Sequence, residues 1–296
     1  MILMRHLLLA LAIAAPVLGA TPLKVVTLHT ILTELAQEIG GGHVTVVPLV
    51  KAGMDPHGFE PTPVDIRQLK SADLVLAVGL NSETYLNRLA PEIPPGRLVR
   101  VGDDLPGLIE GRCEHEHHHD HHDHGFDHHW WHGITQMHAA VERVARELTA
   151  RRPAAAADFA RNAAAYRERL EGLRTWIVAE LAALPGERRL LVTSHNAFAY
   201  FAAEHGFAVH PLLGSNTVAE ADARQVAAVV RLIRRHGIRS IFAESSVNPR
   251  LVEAIARDTG AKFGPTLYAD GLGLGAAATY EGMMRHNVSA IVAGLR

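Results

Sequence analysis

Four short segments carry the residues able to hold a metal ion. Histidine makes up 20 of the 296 residues, and half of these lie between His115 and His132. Imidazole nitrogens grouped with carboxylates suit divalent cations of the first transition row. MDPHGFEPTP (54–63) places His57 in a proline-rich loop. Glu60, three residues on, is a carboxylate able to accept the second ring proton of His57 and fix its tautomer. FDHHWWHGI (126–134) offers His128, His129 and His132 beside two tryptophans able to exclude water, and spacing does not choose among the three. LLVTSHNAFAYFAAEHGF (190–207) ends a strand-like run in Ser194-His195-Asn196; His205, on the helix that follows, reads as a solvated surface residue. PTLYADGLGLG (265–275) puts Asp270 in a turn freed by Gly271 and Gly273, and Glu244, ending RSIFAES, is a further carboxylate that could support a ligand or add one.

Other chemistries find less support. The single cysteine, Cys113, provides neither an intramolecular disulfide nor a thiolate zinc cluster. Ser194, His195 and Asp270 lack the G-x-S-x-G turn of a hydrolase nucleophile. The glycines after Asp270 lack the Lys-Ser/Thr that completes a phosphate loop. With 29 Lys+Arg against 31 Asp+Glu, the chain has no electrostatic footprint for nucleic acid or an anionic membrane.

The elements that must position these residues follow from the hydrophobic pattern. LKVVTL, HVTVVPLV, DLVLAVG and RLVRVG are short β-branched runs separated by helical or loop segments. RLLVTSH, FAVHPLL, RSIFAES and AKFGPTLY repeat the theme, with helices expected over 222–236 and 249–259. Strand–helix alternation predicts an α/β fold of two lobes, each a mainly parallel sheet flanked by helices. His57 and His195 then lie beyond the carboxyl ends of strands, where open α/β sheets place ligands. Between the lobes, the pattern from Pro153 to Leu184 predicts one rigid helix of about 32 residues and about 48 Å. The expected division is a signal peptide over 1–20, a first lobe over 21–152, the interlobe helix over 153–184 and a second lobe over 185–296. Residues 1–20 carry Arg5, an apolar run from Leu7 to Ala15, then Pro16 and small residues, the pattern of a secretory signal cleaved after Ala20. No cysteine follows that run to take a lipid, so the mature protein is expected to be soluble and periplasmic.

Taken in order, MDPHGFEPTP, DHHWW, VTSHNAFAYF, IFAESSVNP and LYADGLG resemble the metal-specific solute-binding proteins of ABC importers, the zinc/manganese cluster A-I of the ZnuA/TroA type, along essentially the whole mature chain. The resemblance implies a metal site in the interlobe cleft, with His57 and His129 from the first lobe and His195 and Asp270 from the second. It implies no enzymatic activity, an ABC permease with its cytoplasmic ATPase as partners, and a monomer. The usual Asp-Pro-His is here Asp127-His128-His129, so His128 competes with His129. The paired tryptophans and the extra histidine resemble a zinc-binding, AztC-like subgroup, some members of which receive metal from a periplasmic metallochaperone.

Three imidazoles and one carboxylate suit Zn(II), whereas Mn(II) favours more oxygen and a higher coordination number. Manganese-type relatives tend to carry a carboxylate where this chain has His195, so Zn(II) is the expected cargo. A manganese-specific relative and a secreted zinc-dependent hydrolase are the alternatives. The hydrolase would need an open coordination position, which Asp270 fills, and no H-E-x-x-H helix is present. The tract CEHEHHHDHHDHG (113–125) has too little apolar content to pack and reads as a mobile, low-affinity zinc collector beside the cleft.

Overall fold

The computed structural model describes residues 21–111, 125–214 and 223–296. The expected signal peptide and the histidine-rich tract as far as His124 lie outside the described residues.

Parallel strands and helices alternate as the pattern predicts. The first half contains β1 (Leu23–Thr27), α1 (Thr30–Gly40), β2 (Val44–Pro48), α2 (Pro63–Lys70), β3 (Leu74–Ala77), α3 (Leu86–Leu89) and β4 (Leu98–Arg100). These strands form one parallel sheet in the order β2-β1-β3-β4. Next come α4 (Ile134–Arg151) and α5 (Ala156–Leu181). The second half has β5 (Leu190–Thr193), α6 (Ala199–His205), β6 (Ala208–Pro211), α7 (Ala223–His236), β7 (Ser240–Ile241), α8 (Arg250–Thr259), β8 (Lys262–Phe263) and α9 (Tyr280–Leu295). Here β5 pairs with β6 and β7 with β8, and the Thr193–Phe242 bridge joins the two pairs as β6-β5-β7-β8. Both halves thus share one strand order, with crevices beyond the carboxyl ends of β1/β3 and β5/β7, where that order reverses. The strands expected over RSIFAES and AKFGPTLY shrink to two paired residues each, because Pro265 has no N–H to continue the ladder.

Side-chain alternation along the strands divides the core. Val25, Leu74, Leu76, Leu191 and Phe242 face a large central cluster that runs through both halves. Val26, Val75 and Ala77 face a second cluster on the outer side of the first sheet, and Val192, Ile241 and Ala243 a third behind the second. The interlobe helix is shorter than expected. Pro153–Ala155 forms a separate tight turn, and α5 then runs for 26 residues, about 39 Å. Its buried stripe, Phe159, Ala163, Tyr166, Leu170, Leu173, Ile177 and Leu181, keeps a three-and-four spacing and packs against α1, α4 and α9. Among the described residues, no helix is long and apolar enough to cross a membrane.

Candidate metal centre

His57, His129, His195 and Asp270 converge, with one potential ligand atom from each lying within 4.8 Å of all the others. Oδ1 of Asp270 lies 3.2 Å from His57 Nε2, 3.0 Å from His195 Nε2 and 3.4 Å from His129 Nε2. Ligand atoms of a tetrahedral zinc site with bonds of about 2.0 Å stand about 3.3 Å apart, so the spacing fits a small divalent ion. His129 and His195 are fully buried, Asp270 is 6% exposed and His57 9%.

Each of the four residues has an identifiable support. His195 follows β5, and its Nδ1 lies 3.5 Å from Glu244 Oε2, while Glu244 Oε1 accepts the Ser194 N–H at 3.0 Å. His129 sits before α4, and Asp127 Oδ1 meets both its Nδ1, at 2.8 Å, and its backbone N–H, at 2.9 Å. The Asp127 carboxylate on the far nitrogen of His129 fixes the tautomer that presents Nε2 to the cavity, and Glu244 stands near the far nitrogen of His195 without a hydrogen bond to it. The loop that carries His57 is turned by Asp55, whose Oδ1 accepts the His57 N–H at 2.9 Å. Ser246 donates its hydroxyl to Asp270 Oδ2, leaving Oδ1 to face the imidazoles.

These contacts set the ionisation. Burial pushes the Asp270 carboxyl up, but the His195 charge and the contacts of His129, His195 and His57 hold it well below the usual carboxylate range. Burial pushes His195 down, yet Asp270 and Glu244 prevail and keep it well above its ordinary value. His129 is raised likewise, by Asp127 and Asp270 against burial.

The backbone that carries Asp270 is held by the first half of the chain. Trp131 Nε1 and His132 Nε2 meet the Ala269 carbonyl at 2.8 and 2.9 Å. His29, at the carboxyl end of β1, places Nε2 3.0 Å from the Asp270 carbonyl, and its Nδ1 accepts the Ile31 N–H at 3.3 Å, so Nε2 carries the proton. Thr30 Oγ1 accepts the Leu272 N–H at 2.8 Å. Gly271 has φ +143°, and a Cβ there would come within 2.5 Å of Thr30 Oγ1, so the turn requires glycine.

Of the three candidates in FDHHWWHGI, His129 joins the cluster. His128 lies outside the four, its ring 4.1 Å from that of His129. His132 turns instead to Ala269, and burial pushes its imidazole down to about 3. Two expectations are corrected. Glu60 is exposed, and the carboxylate at the His57 loop is Asp55. His205 is buried at 7% exposure, packed on Phe201, and burial together with the Arg174 and Arg189 charges pushes it down to about 4. Sequence reasoning missed His29 and Ser246. His29 carries the signal used for His195, a histidine just past a strand end; Ser246 follows Glu244 by two residues and has no distinguishing signal.

The family model described as "ZnuA: Zinc-uptake complex component A periplasmic" matches residues 25–294. The manganese-binding lipoprotein MntA of Bacillus subtilis (strain 168) is 32% identical, covering 93% of this chain and 90% of its own. The iron-binding protein YfeA of Yersinia pestis is 32% identical over 96% of this chain and 90% of its own. The zinc-binding protein TroA of Treponema pallidum (strain Nichols) is 32% identical over 92% of this chain and 88% of its own. Among solved structures, the periplasmic zinc-binding protein TroA from Treponema pallidum superposes with a TM-score of 0.85 at 30% identity, covering 93% of this chain and 99% of that one. The Mn-bound periplasmic metal-binding protein from Candidatus Liberibacter asiaticus gives 0.82 at 26%, covering 93% and 100%. The relatives are thus named for three different metals. The chain belongs to the ZnuA/TroA family of cluster A-I, the periplasmic metal-binding components of ABC importers.

Proposed function

We propose that this protein captures Zn(II) through His57, His129, His195 and Asp270 and delivers it to a membrane permease driven by a cytoplasmic ATPase. The observation that carries the reading is the donor set: three imidazole nitrogens and one carboxylate oxygen at tetrahedral spacing. Softness and low coordination number favour zinc over manganese. The match to manganese-binding MntA supports manganese as the second reading. A hydrolytic role has less support, since Asp270 stands where a catalytic water would bind.

The export signal over 1–20, a periplasmic monomer and the division at 152/153 and 184/185 complete the proposal. A periplasmic metallochaperone is the proposed donor for this subgroup. The tract over 113–125 acts as a collector, raising the local zinc concentration. Its flanks are held together beside the centre, with Gly111 N–H on Gly125 O at 2.7 Å and Asp127 N–H on Ile109 O at 2.8 Å.

Chelator competition and native mass spectrometry on mature protein, with and without residues 113–125, test this reading. One tight zinc that survives tract deletion, outcompetes manganese and weakens at least about 100-fold in Asp270→Ala or His195→Ala is the expected result, as for loss of one of four ligands. Tight binding that vanishes with the tract but survives those substitutions would refute the cleft assignment. Preference for manganese would refute the choice of metal alone.

A further inference from the structure

We infer that His128 is a transfer ligand, which takes the incoming cation beside the centre and passes it to the four ligands without staying bound. The inference rests on the reading of those four as the cargo site. His129 and His195 are wholly buried and His57 is 9% exposed, whereas His128 is only half-buried. Residues 57 and 128 therefore keep some surface on the solvent side of the centre, although the His128 Nε2 itself is covered. The His128 ring centroid lies 4.1 Å from that of His129 and 5.3 Å from that of His57. Two imidazoles at such separations can share one zinc with Zn–N bonds of about 2.0 Å.

The His128 Nε2 is buried and has no hydrogen-bond partner. Its neighbours His29 and His132, which also flank the centre, place Nε2 against backbone carbonyls. A buried polar nitrogen left unpaired costs free energy, and beside a cation site it is a donor in waiting. The resting site is nevertheless complete without it, because four donors already converge. Zinc passes readily through a five-coordinate arrangement. A nitrogen that binds only on the way in or out lowers the barrier in both directions and leaves the equilibrium where it was.

His128→Phe keeps an aromatic ring against His129 and removes the nitrogen. Stopped-flow measurement of zinc uptake, and of release to a chromophoric chelator, is expected to show both rates falling together by about 10-fold or more, with the equilibrium constant within about twofold. The Co(II) absorption spectrum of the loaded protein and the thermal midpoint of the metal-free protein stay unchanged. His128→Asp, which restores a donor, recovers much of the rate, and His128→Asn repeats the loss should phenylalanine disturb packing. Unchanged rates in both His128→Phe and His128→Asn would overturn the inference. So would a 10-fold loss of affinity with an altered Co(II) spectrum, which would make His128 a resting ligand. His195→Ala run in parallel keeps the two readings apart: tight zinc retained there refutes the cargo site, whatever the rates show.

Discussion

Each oxygen of the Asp270 carboxylate has a separate task. Oδ1 faces three imidazoles and Oδ2 accepts the Ser246 hydroxyl, an arrangement that leaves one oxygen to offer a metal. Ser246→Ala frees Oδ2 for a second bond to the metal, and a higher oxygen count favours manganese. The Mn/Zn affinity ratio, measured by competition, is expected to rise by roughly 10-fold, the size of one outer contact. Asp127→Asn keeps an oxygen for the His129 N–H but removes the charge behind Nδ1, so zinc affinity falls by about 10- to 100-fold in the same titration. At this scale the site was legible where a side chain directly follows a strand end, as His195 does after β5, whereas Asp270 stands well past β8 and was legible only from its glycine-flanked turn. The choice of His129 over His128 came from the family resemblance and was not legible from spacing, because it depends on Asp127 folding back onto a residue two positions later. His205 misled because a histidine at the end of a short helix is usually wet; here Phe201, four residues earlier, draws it onto the buried face.

At the scale of elements, α5 is the common wall of both halves, and its interior holds Gly172 with open space where a Cβ would be. Gly172→Ala removes backbone freedom from the unfolded chain and adds helix propensity. Stability should rise by about 0.5–1 kcal/mol. Urea unfolding monitored by circular dichroism reads the gain, and zinc affinity should not move, since Gly172 touches no part of the centre. Strand and helix order was legible because β-branched runs and three-and-four stripes occupy separate segments. The ends were less so. Pro153 starts a tight turn rather than the helix itself, and Pro265 cuts β8 to two residues although the apolar run continues beyond it.

The molecule as a whole holds several imidazoles neutral in its interior. His29 and His205 are pushed down to about 4 and His132 to about 3, each mainly by burial. Their unfolded counterparts titrate near 6.5, so between about pH 6.5 and pH 4 the unfolded chain binds protons that the folded chain does not. The contribution of these three histidines is therefore full above pH 6.5 and is lost as the medium becomes more acidic, whereas the raised His129 and His195 contribute in the opposite sense as pH climbs. The thermal midpoint of the metal-free protein should drop across that window, and His205→Phe, remote from the centre, should flatten the slope; an unaltered slope would show that His205 titrates normally. The same architecture isolates the histidine-rich tract. Its two flanks pair at Gly111 and Gly125, and the Tyr200 hydroxyl accepts the Ile109 N–H at 3.2 Å while donating to the Asp127 carbonyl at 2.8 Å. A chain that leaves and returns at such a closed pair of flanks can change in length at little cost to the pair, since each doubling of a loop adds only about 0.6 kcal/mol to the entropy of closing it. The tract can therefore be lengthened, shortened or rewritten without moving its paired flanks or the four residues that converge beside them.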